Sequence, residues 1–507
     1  MKPKKAHATP RATQKAAVRS TRYQGSWNWA GGGLLGPSST RFELSVMEPA
    51  YFGCSTKCSL ADPGFYGQSA NLNVTGLMYC SSLLEVNHSQ LAIHGGAGLL
   101  LLFLTGAIGR AADGATLSPG ELASEPQGFE FIDTSFENAS PLWYDFDTDG
   151  TIRLHLLYDH ERSSANRAAG HFHFLIQAKA GSQFTLEFLN LDNVWNGRPG
   201  SVANELKTAV VSSDGRLWTP ISLRALPENR VQLKVQMPGP KLYVARVEPY
   251  RLSDLEGLLS SIKSNPLVQI DTIGKTVQGR PLELLRLGNP EAPHRVFLRA
   301  RAHAWEAGSS WVIEGFIRRF LADDELAKAC RSRYCVYILP MANKDGVTGG
   351  RTRFNLQGKD LNRDWDKMAD PVLAPENYAL EKWLQRAIQA RHKPDLALEF
   401  HNDGSGRLQL SRSASPDLKG YLERMSTLER LLRQYTWFTE GSTGESFHNP
   451  GSLGEGWFAR YGIDAAVHEL NCNWIQGLKD YPSARHWQDY GGSLVAVFKN
   501  YFEQTKR

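Results

Sequence analysis

The sequence predicts a chain in two parts, an antiparallel β-sandwich followed by an α/β region whose mixed, mainly parallel sheet is flanked by helices. Two observations predict this class. From about residue 125 to residue 250, apolar and polar residues alternate with a period of two, which is typical of half-buried strands. From residue 252 onward, short apolar runs alternate with longer stretches of helical period, and that order predicts a largely parallel sheet covered on both faces.

Length and charge are consistent with this division. A chain of 507 residues with 41% apolar content is too long for one compact core, and two to four domains are expected. The formal net charge is +5, but residues 1–41 hold eight Lys or Arg and no acid, so the rest of the chain carries −3. A nearly neutral body gives no indication of nucleic acid or an anionic membrane as a partner.

Residues 1–115 are predicted to be an irregular extension that contains one apolar segment, 97–112. This segment is too short for a stable membrane span, but it suits the core of a secretory signal because small residues follow it. If translation starts near residue 90, the protein is secreted or periplasmic. If the segment is a buried helix or part of a disordered tail, the protein is cytoplasmic. The arginine-rich, acid-poor start also allows a transit peptide.

The six cysteines do not indicate a disulfide framework, because such frameworks are dense and belong mainly to short secreted domains. The sequence contains no Cys-x-x-Cys pair, so a thiolate zinc site is not indicated. A bridge between Cys330 and Cys335 is conceivable.

The sandwich is predicted over residues 125–250 from strands near 172–176, 184–188 and 231–237, separated by turn residues such as Asn196-Gly197. His171 and His173 lie on one face of the first of these strands. They could form a metal-binding pair, but the simpler interpretation is that this face meets solvent or a neighbouring domain.

The second part, residues 252–507, is predicted to begin with a helix, since Leu255, Leu258, Leu259 and Ile262 recur at helical spacing. Strands and helices then alternate. The predicted strands are 296–300, 335–339, 395–400 and 464–470, and the predicted helices are 307–321, 376–391, 415–435 and 486–503.

Polar candidates follow these strands, where loops of an open α/β sheet converge and ligands bind. They are His303 and Glu306 after the first strand, Arg353, Asn362 and Arg363 after the second, His401 after the third, and Glu469 at the end of the fourth. A histidine and a glutamate three positions apart, joined by a distant histidine, make a three-ligand zinc set with the fourth position open for water or substrate. One zinc ion per chain is therefore expected.

With these motifs, the chain resembles the zinc carboxypeptidases, in particular the branch of cytosolic carboxypeptidases that carry an N-terminal sandwich domain. The motifs are residues 273–282, the pair His303 and Glu306, residues 340–347, Arg353 with residues 360–365, His401, and Glu469-Leu470. The resemblance implies a zinc-carboxypeptidase-like fold and hydrolysis of the C-terminal peptide bond of peptides or proteins.

The resemblance also implies roles for the site residues. His303, Glu306 and His401 would hold zinc, and Glu469 would serve as general base and then general acid. Arg353 would stabilise the oxyanion, with Arg351 as a near alternative.

Asn362 and Arg363 would bind the terminal carboxylate of the substrate, because a guanidinium fork can hold a carboxylate with two hydrogen bonds. An enzyme that grips a chain end removes terminal residues and does not cut internally. The alternative is a loop asparagine beside a surface arginine that pairs with Asp360 or Asp364. Glu469, for its part, could be a strand-end glutamate in a buried ion pair.

The sequence departs from the family between the first two ligands, where Ala304 and Trp305 stand. A substrate-capping tyrosine has no assigned match, although Phe447 and Tyr461 lie in the region. Arg407 could favour acidic substrates, but it is expected to face solvent.

Two rival functions stay open at this point. One is a related zinc deacylase that acts on N-acyl amino acids, and the other is a catalytically silent module that binds peptide ends. The sequence does not predict the oligomeric state.

Overall fold

The computed structural model describes residues 124–505. The whole of the predicted N-terminal extension, residues 1–115 with the apolar segment 97–112, lies outside the described residues. No helix among the described residues is long and apolar enough to cross a membrane.

Twenty-one strands and eight helices are defined within this range. The strands are β1 (Phe129–Asp133), β2 (Leu142–Phe146), β3 (Ile152–Leu156), β4 (Asp159–His160), β5 (Arg167–Ala168), β6 (His173–Ala178), β7 (Gln183–Leu189), β8 (Asp192–Trp195), β9 (Arg198–Ser201), β10 (Thr208–Ser212), β11 (Thr219–Ser222), β12 (Arg224–Leu226), β13 (Arg230–Gln236), β14 (Lys241–Ala245), β15 (Val268–Lys275), β16 (Pro281–Leu287), β17 (His294–Ala300), β18 (Tyr334–Leu339), β19 (Leu396–Asp403), β20 (Leu408–Leu410) and β21 (Asp464–Asn471). The helices are α1 (Leu252–Ile262), α2 (Ala307–Phe320), α3 (Glu325–Arg333), α4 (Lys344–Thr348), α5 (Pro375–Gln389), α6 (Leu418–Tyr435), α7 (Leu453–Tyr461) and α8 (Ala484–Gln504).

Residues 129–245 form two five-stranded sheets, in the orders β1-β6-β14-β10-β11 and β12-β13-β7-β3-β2, and a small four-stranded sheet in the order β4-β5-β8-β9. Alternation decides which side chains are buried. In β13, Val231, Leu233 and Val235 are buried and their neighbours are more exposed, as the period of a strand requires. One hydrophobic cluster takes side chains from both five-stranded sheets. The pairing is antiparallel, except that β3 runs parallel to β7.

The later part of the chain forms a seven-stranded sheet in the order β15-β16-β18-β17-β19-β21-β20. The four strands β18, β17, β19 and β21 are parallel neighbours, and they are the four strands that the sequence predicts. Antiparallel strands flank them on both sides. The predicted mixed α/β class is therefore confirmed, although the three antiparallel strands β15, β16 and β20 were not predicted.

The helix predicted at the start of this part is present as α1, and the other four predicted helices are present as α2, α5, α6 and α8, with ends that differ from the prediction by at most three residues. The short helices α3, α4 and α7 were not predicted, because none is long enough to show a clear helical period. Each begins at a side-chain cap, supplied by Asp324, Asn343 and Ser452 respectively, and such caps satisfy amide groups that a helix start leaves unpaired.

Helices α2 and α8 pack closely because glycines stand where they meet. A Cβ atom added to Gly315 would lie 2.0 Å from the carbonyl oxygen of Gln488, and one added to Gly491 would lie 1.9 Å from that of Val312. This contact helps to fix α2, the helix that follows the predicted metal-binding pair.

Cys330 and Cys335 are both buried and free. The conceivable bridge between them is therefore wrong. Cys330 lies in α3, where its thiol approaches the carbonyl oxygen of Val495 in α8, so it packs toward another helix instead of toward Cys335.

Candidate metal centre and substrate site

His303, Glu306 and His401 meet at the carboxyl end of the parallel strands. His303 lies in the loop after β17, Glu306 is the residue before the first turn of α2, and His401 lies in β19 beside β17. All three side chains are buried. One ligand atom from each lies within 4.8 Å of the others, so the predicted three-residue cluster forms.

The geometry inside this cluster suits a shared cation better than mutual hydrogen bonds. His303 Nδ1 lies 2.8 Å from Glu306 Oε1 and 3.1 Å from His401 Nδ1. Glu306 Oε2 lies 2.8 Å from His401 Nδ1, yet this buried oxygen has no hydrogen-bond partner. Two imidazole nitrogens and one carboxylate that converge in this way are a donor set that zinc prefers.

Each histidine has a carboxylate behind it. His303 Nε2 lies 3.1 Å from Asp360 Oδ1, and His401 Nε2 lies 3.3 Å from Glu399 Oε2. Carboxylates in this position hold the ring of a metal-binding histidine and direct its other nitrogen to the metal. The arrangement thus turns the Nδ1 atoms of both rings toward Glu306.

Glu399 belongs to a fully buried ion pair beneath the cluster. Arg299 Nη1 donates to Glu399 Oε1 at 2.5 Å, and Arg299 Nη2 donates to Asn377 Oδ1 at 2.7 Å. The guanidinium also lies over the ring of Trp365, 5.2 Å from its centroid. A buried pair with this many partners is costly to break, so the base of the site is rigid.

The charges of the cluster depend on one another. Burial disfavours ionisation of Glu306, but the adjacent His303 and His401 outweigh it and hold the pKa of Glu306 well below its usual range. Burial likewise disfavours a charged His401, but Glu306 and Glu399 raise the pKa of His401 well above its ordinary value. The site is therefore built to keep a positive charge at its centre, whether a proton or a metal ion.

Glu469 lies beside this centre because of the strand register. It is the residue of β21 that pairs with His401 of the parallel strand β19, so the two side chains are neighbours on one face of the sheet. Its Oε1 accepts a hydrogen bond from Gln409 Nε2 at 3.1 Å. Burial and the charge of Asp403 raise the pKa of Glu469 well above its usual value.

Arg353 approaches the cluster from the loop after β18. Its Nε donates to Asp360 Oδ2 at 2.8 Å, and its Nη1 lies 3.5 Å from His303 Nδ1. Residues 129–245 contribute to the position of Arg353, because its guanidinium lies over the ring of Trp195 of β8, 4.7 Å from the centroid. Asp159 also accepts the backbone amide of Arg353 at 2.7 Å.

Arg363 and Asn362 have different surroundings. Arg363 donates to the carbonyl oxygen of Asn362 at 2.7 Å and makes no ion pair within residues 124–505. Asp360 and Asp364, the acids that it could have paired with, are engaged by Arg353, Lys359 and Lys367.

The amide group of Asn362 is already engaged inside the site. Its Nδ2 lies 3.2 Å from His401 Nε2, and its Oδ1 accepts the backbone amide of Leu453 at 2.9 Å. The structure therefore brings Asn362 against a candidate ligand and leaves the charged fork of Arg363 available.

The remaining candidates lie in other settings. Arg351 extends toward Asp159, 3.8 Å away, and Arg407 is exposed. The hydroxyl group of Tyr461 donates to Glu381 at 2.8 Å. Phe447 is partly buried in the loop before α7.

His171 and His173 are buried rather than exposed. His171 Nε2 lies 3.1 Å from the carbonyl oxygen of Asn138, and His173 Nδ1 lies 3.2 Å from Asn138 Oδ1. The backbone amide of His171 donates to Thr352 in the later part of the chain. This face of the strand therefore meets a neighbouring region of the protein, as the simpler interpretation expected.

Three further residues at the site, Glu399, Gln409 and Trp195, were not predicted from the sequence. Glu399 could have been found, since it lies two residues before His401 and so on the same face of the strand. Gln409 and Trp195 carried no comparable signal, because an unpredicted antiparallel strand and a distant sheet region bring them to the site.

Comparison with known proteins points to one family. Residues 258–402 match the sequence profile of the family described as zinc carboxypeptidase. Human cytosolic carboxypeptidase 2 is 34% identical over 134 residues, which are 24% of this chain and 15% of that protein. Cytosolic carboxypeptidase 6 of Caenorhabditis elegans is 34% identical over 143 residues, which are 27% of this chain and 31% of that protein. The chain thus spans less than a third of the length of these relatives.

Solved structures extend the likeness beyond the matched segment. A metallo-carboxypeptidase from Burkholderia cenocepacia aligns with a TM-score of 0.66 at 20% identity, covering 74% of this chain and 99% of that one. A metallo-carboxypeptidase from Pseudomonas aeruginosa aligns with a TM-score of 0.63 at 21% identity, covering 74% of this chain and all of that one. At this identity the likeness establishes the fold.

Proposed function

We propose that this chain, whose residues 258–402 match the zinc carboxypeptidase family, is a zinc-dependent metallocarboxypeptidase that removes the C-terminal residue of peptides or proteins. The observation that carries the proposal is the juxtaposition of His303, Glu306 and His401 with Glu469, which pairs with His401 across two parallel strands.

The metal is the first element of the proposal. One zinc ion bound by His303, Glu306 and His401 would supply an acidified water molecule and polarise the scissile carbonyl group. Asp360 and Glu399 would hold the two histidine rings in the orientation that this binding requires.

The second element is proton transfer by Glu469. A carboxylate beside the open side of the cluster can accept a proton from the attacking water and deliver it to the leaving amine. The hydrogen bond from Gln409 to Glu469 Oε1 fixes one oxygen and leaves the other for this task.

The third element is substrate orientation. Arg363 lacks a carboxylate partner among the described residues, and its fork matches a terminal carboxylate. Arg353, near His303, would stabilise negative charge on the carbonyl oxygen during attack. Asn362, whose amide group lies beside His401, would border the same carboxylate site.

The test is release of single C-terminal residues from a defined peptide, followed by mass spectrometry. Glu469→Gln should lower kcat by a factor on the order of 10² to 10⁴ while one zinc ion per chain is retained. Removal of zinc by a chelator should abolish release, and added zinc should restore it. Glu256→Gln, at an exposed position of α1, is the matched control and should behave like the wild type.

Three results separate this proposal from its rivals. Equal cleavage of a peptide and of its C-terminal amide would contradict the role of Arg363. Hydrolysis of an N-acyl amino acid without trimming of longer peptides would favour the deacylase. Tight peptide binding by zinc-loaded protein without any release would favour the silent module.

We propose a cytosolic location, on the names of the relatives. The apolar segment 97–112 is the rival argument for secretion. Sequencing the N-terminus of the protein isolated from its host decides between them, because a cleaved signal would leave a mature chain that begins after residue 112.

A further inference from the structure

Trp305 stands between two of the three candidate ligands, and its side chain enters a different core. It is buried and belongs to the hydrophobic cluster of the two five-stranded sheets, whereas His303 and Glu306 on either side point toward His401. The loop of residues 301–306 therefore directs His303 and Glu306 toward His401, and it directs the side chain of Trp305 into the core of the two sheets.

The indole of Trp305 packs against Arg246 and Gly170. The Arg246 guanidinium lies over its ring at 4.1 Å from the centroid, in the geometry of a cation–π contact. Gly170 lies against its edge, where an added Cβ atom would approach Cζ3 of Trp305 to 2.6 Å. Gly170 also has a φ of 152°, a conformation that favours glycine.

Backbone contacts tie the same loop to a second segment. The amide of Trp305 donates to the carbonyl oxygen of Thr352 at 3.1 Å, and Thr352 Oγ1 in turn accepts the amide of His171 at 3.2 Å. The loop, the segment around Thr352 and the sheet region are therefore bound together at one point.

We infer that Trp305 is a positioning residue through which the sheet region of residues 129–245 holds the metal loop, so that packing at Gly170 and Arg246 sets the affinity for zinc. The inference rests on the zinc site proposed above. The mechanical reason is that residues 303 and 306 have little freedom once the side chain between them is fixed. A loop without this anchor must pay the entropy of ordering its ligands when the metal binds.

The experiment measures the dissociation constant for zinc of the full chain, by competition with a chromophoric chelator. Trp305→Ala should raise this constant by about ten- to a hundred-fold, the range found when groups that orient metal ligands are removed. Gly170→Ala should also raise the dissociation constant, because the added methyl group would displace the indole of Trp305 although the sequence of the loop is unchanged. Trp143→Ala is the control, because Trp143 is half exposed and should leave the constant unchanged.

A merely structural role of Trp305 makes a different prediction. It would lower the thermal midpoints of the zinc-free and zinc-loaded forms equally and leave the dissociation constant as in the wild type, and this result overturns the inference. Should Trp305→Ala fail to fold, Trp305→Phe and Gly170→Ala serve in its place, with the same two readouts. If wild-type protein binds no zinc, the metal site itself fails, which is a separate outcome.

Discussion

Two pairs of buried histidines, His303 with His401 and His171 with His173, differ in the groups that surround them. The first pair is surrounded by the carboxylates of Glu306, Asp360 and Glu399. The second pair contacts the neutral side chain and backbone of Asn138. All four rings are largely shielded from water, so burial alone does not distinguish a metal site from a packed core.

These different surroundings shift the pKa values of His401 and of the second pair in opposite directions. Carboxylates raise the pKa of His401 well above its ordinary value in spite of burial. Burial, together with the nearby charges of Arg301 and Arg246, lowers the pKa of His171 to about 4. Burial, together with His171 and Arg251, lowers the pKa of His173 to about 3. A buried histidine is therefore a candidate metal ligand when acids surround it, and a core residue when they do not.

The strongest contrast is expected when one histidine of each pair is replaced in turn and the bound zinc is compared. His401→Ala should reduce bound zinc from one ion per chain to less than about a tenth, because two ligands cannot hold the metal in a four-coordinate site. Peptide hydrolysis should fall with it by more than about 10³-fold. Zinc is measured by plasma emission spectrometry on dialysed protein.

His173→Ala is the matched variant in the other pair. It should retain one zinc ion per chain, although its stability should decrease because a buried ring is lost. Loss of zinc from folded His173→Ala would show that the two pairs are not separate sites, and the comparison would collapse.

A smaller effect is expected from the carboxylates behind the rings. Glu399→Gln keeps the shape of the side chain but removes the charge that faces His401 and Arg299. The dissociation constant for zinc should rise by about ten- to a hundred-fold. Glu376→Gln is the control, since Glu376 is equally buried but bonds to Asn355 and not to a histidine.

Both glutamine variants should lose stability, and only Glu399→Gln should lose zinc affinity. The readouts are chelator competition for affinity and urea unfolding of the zinc-free protein for stability. An unchanged dissociation constant in folded Glu399→Gln would contradict the role of Glu399 in orienting His401.

The candidate metal-binding residues could be predicted from the sequence more fully than the residues that position them. The cluster of candidate ligands His303, Glu306 and His401 was predictable from the strand order, because the strand ends of a parallel sheet converge. The parallel strands were predictable for a similar reason, since each is a continuous apolar run. Both predictions rest on local patterns.

The rest depends on contacts between distant segments. Strand β20 has three residues, too few to show a period, and yet it carries Gln409 to Glu469. Trp195 and Trp305 mark the contact between the two sheet regions, and a single sequence contains no signal of which surfaces dock. For the same reason, the position of Asn362 beside His401 could not be predicted, and its contact with substrate stays a prediction.

The smallest effect separates the two histidine pairs by pH. His171 and His173 have lowered pKa values in the folded state, so below the ordinary value of about 6.5 the unfolded chain binds protons that the folded chain does not. Stability is therefore full above about pH 6.5 and falls as the pH approaches 4. Between pH 6.5 and 5.5 each histidine should cost about 1 kcal/mol of unfolding free energy. In His173→Phe, which keeps a ring beside Phe136, about half of this pH dependence should disappear from urea-unfolding curves. If the variant and the wild type lose stability in parallel, protonation of other groups controls the acid transition and the second pair is not buried in its neutral form.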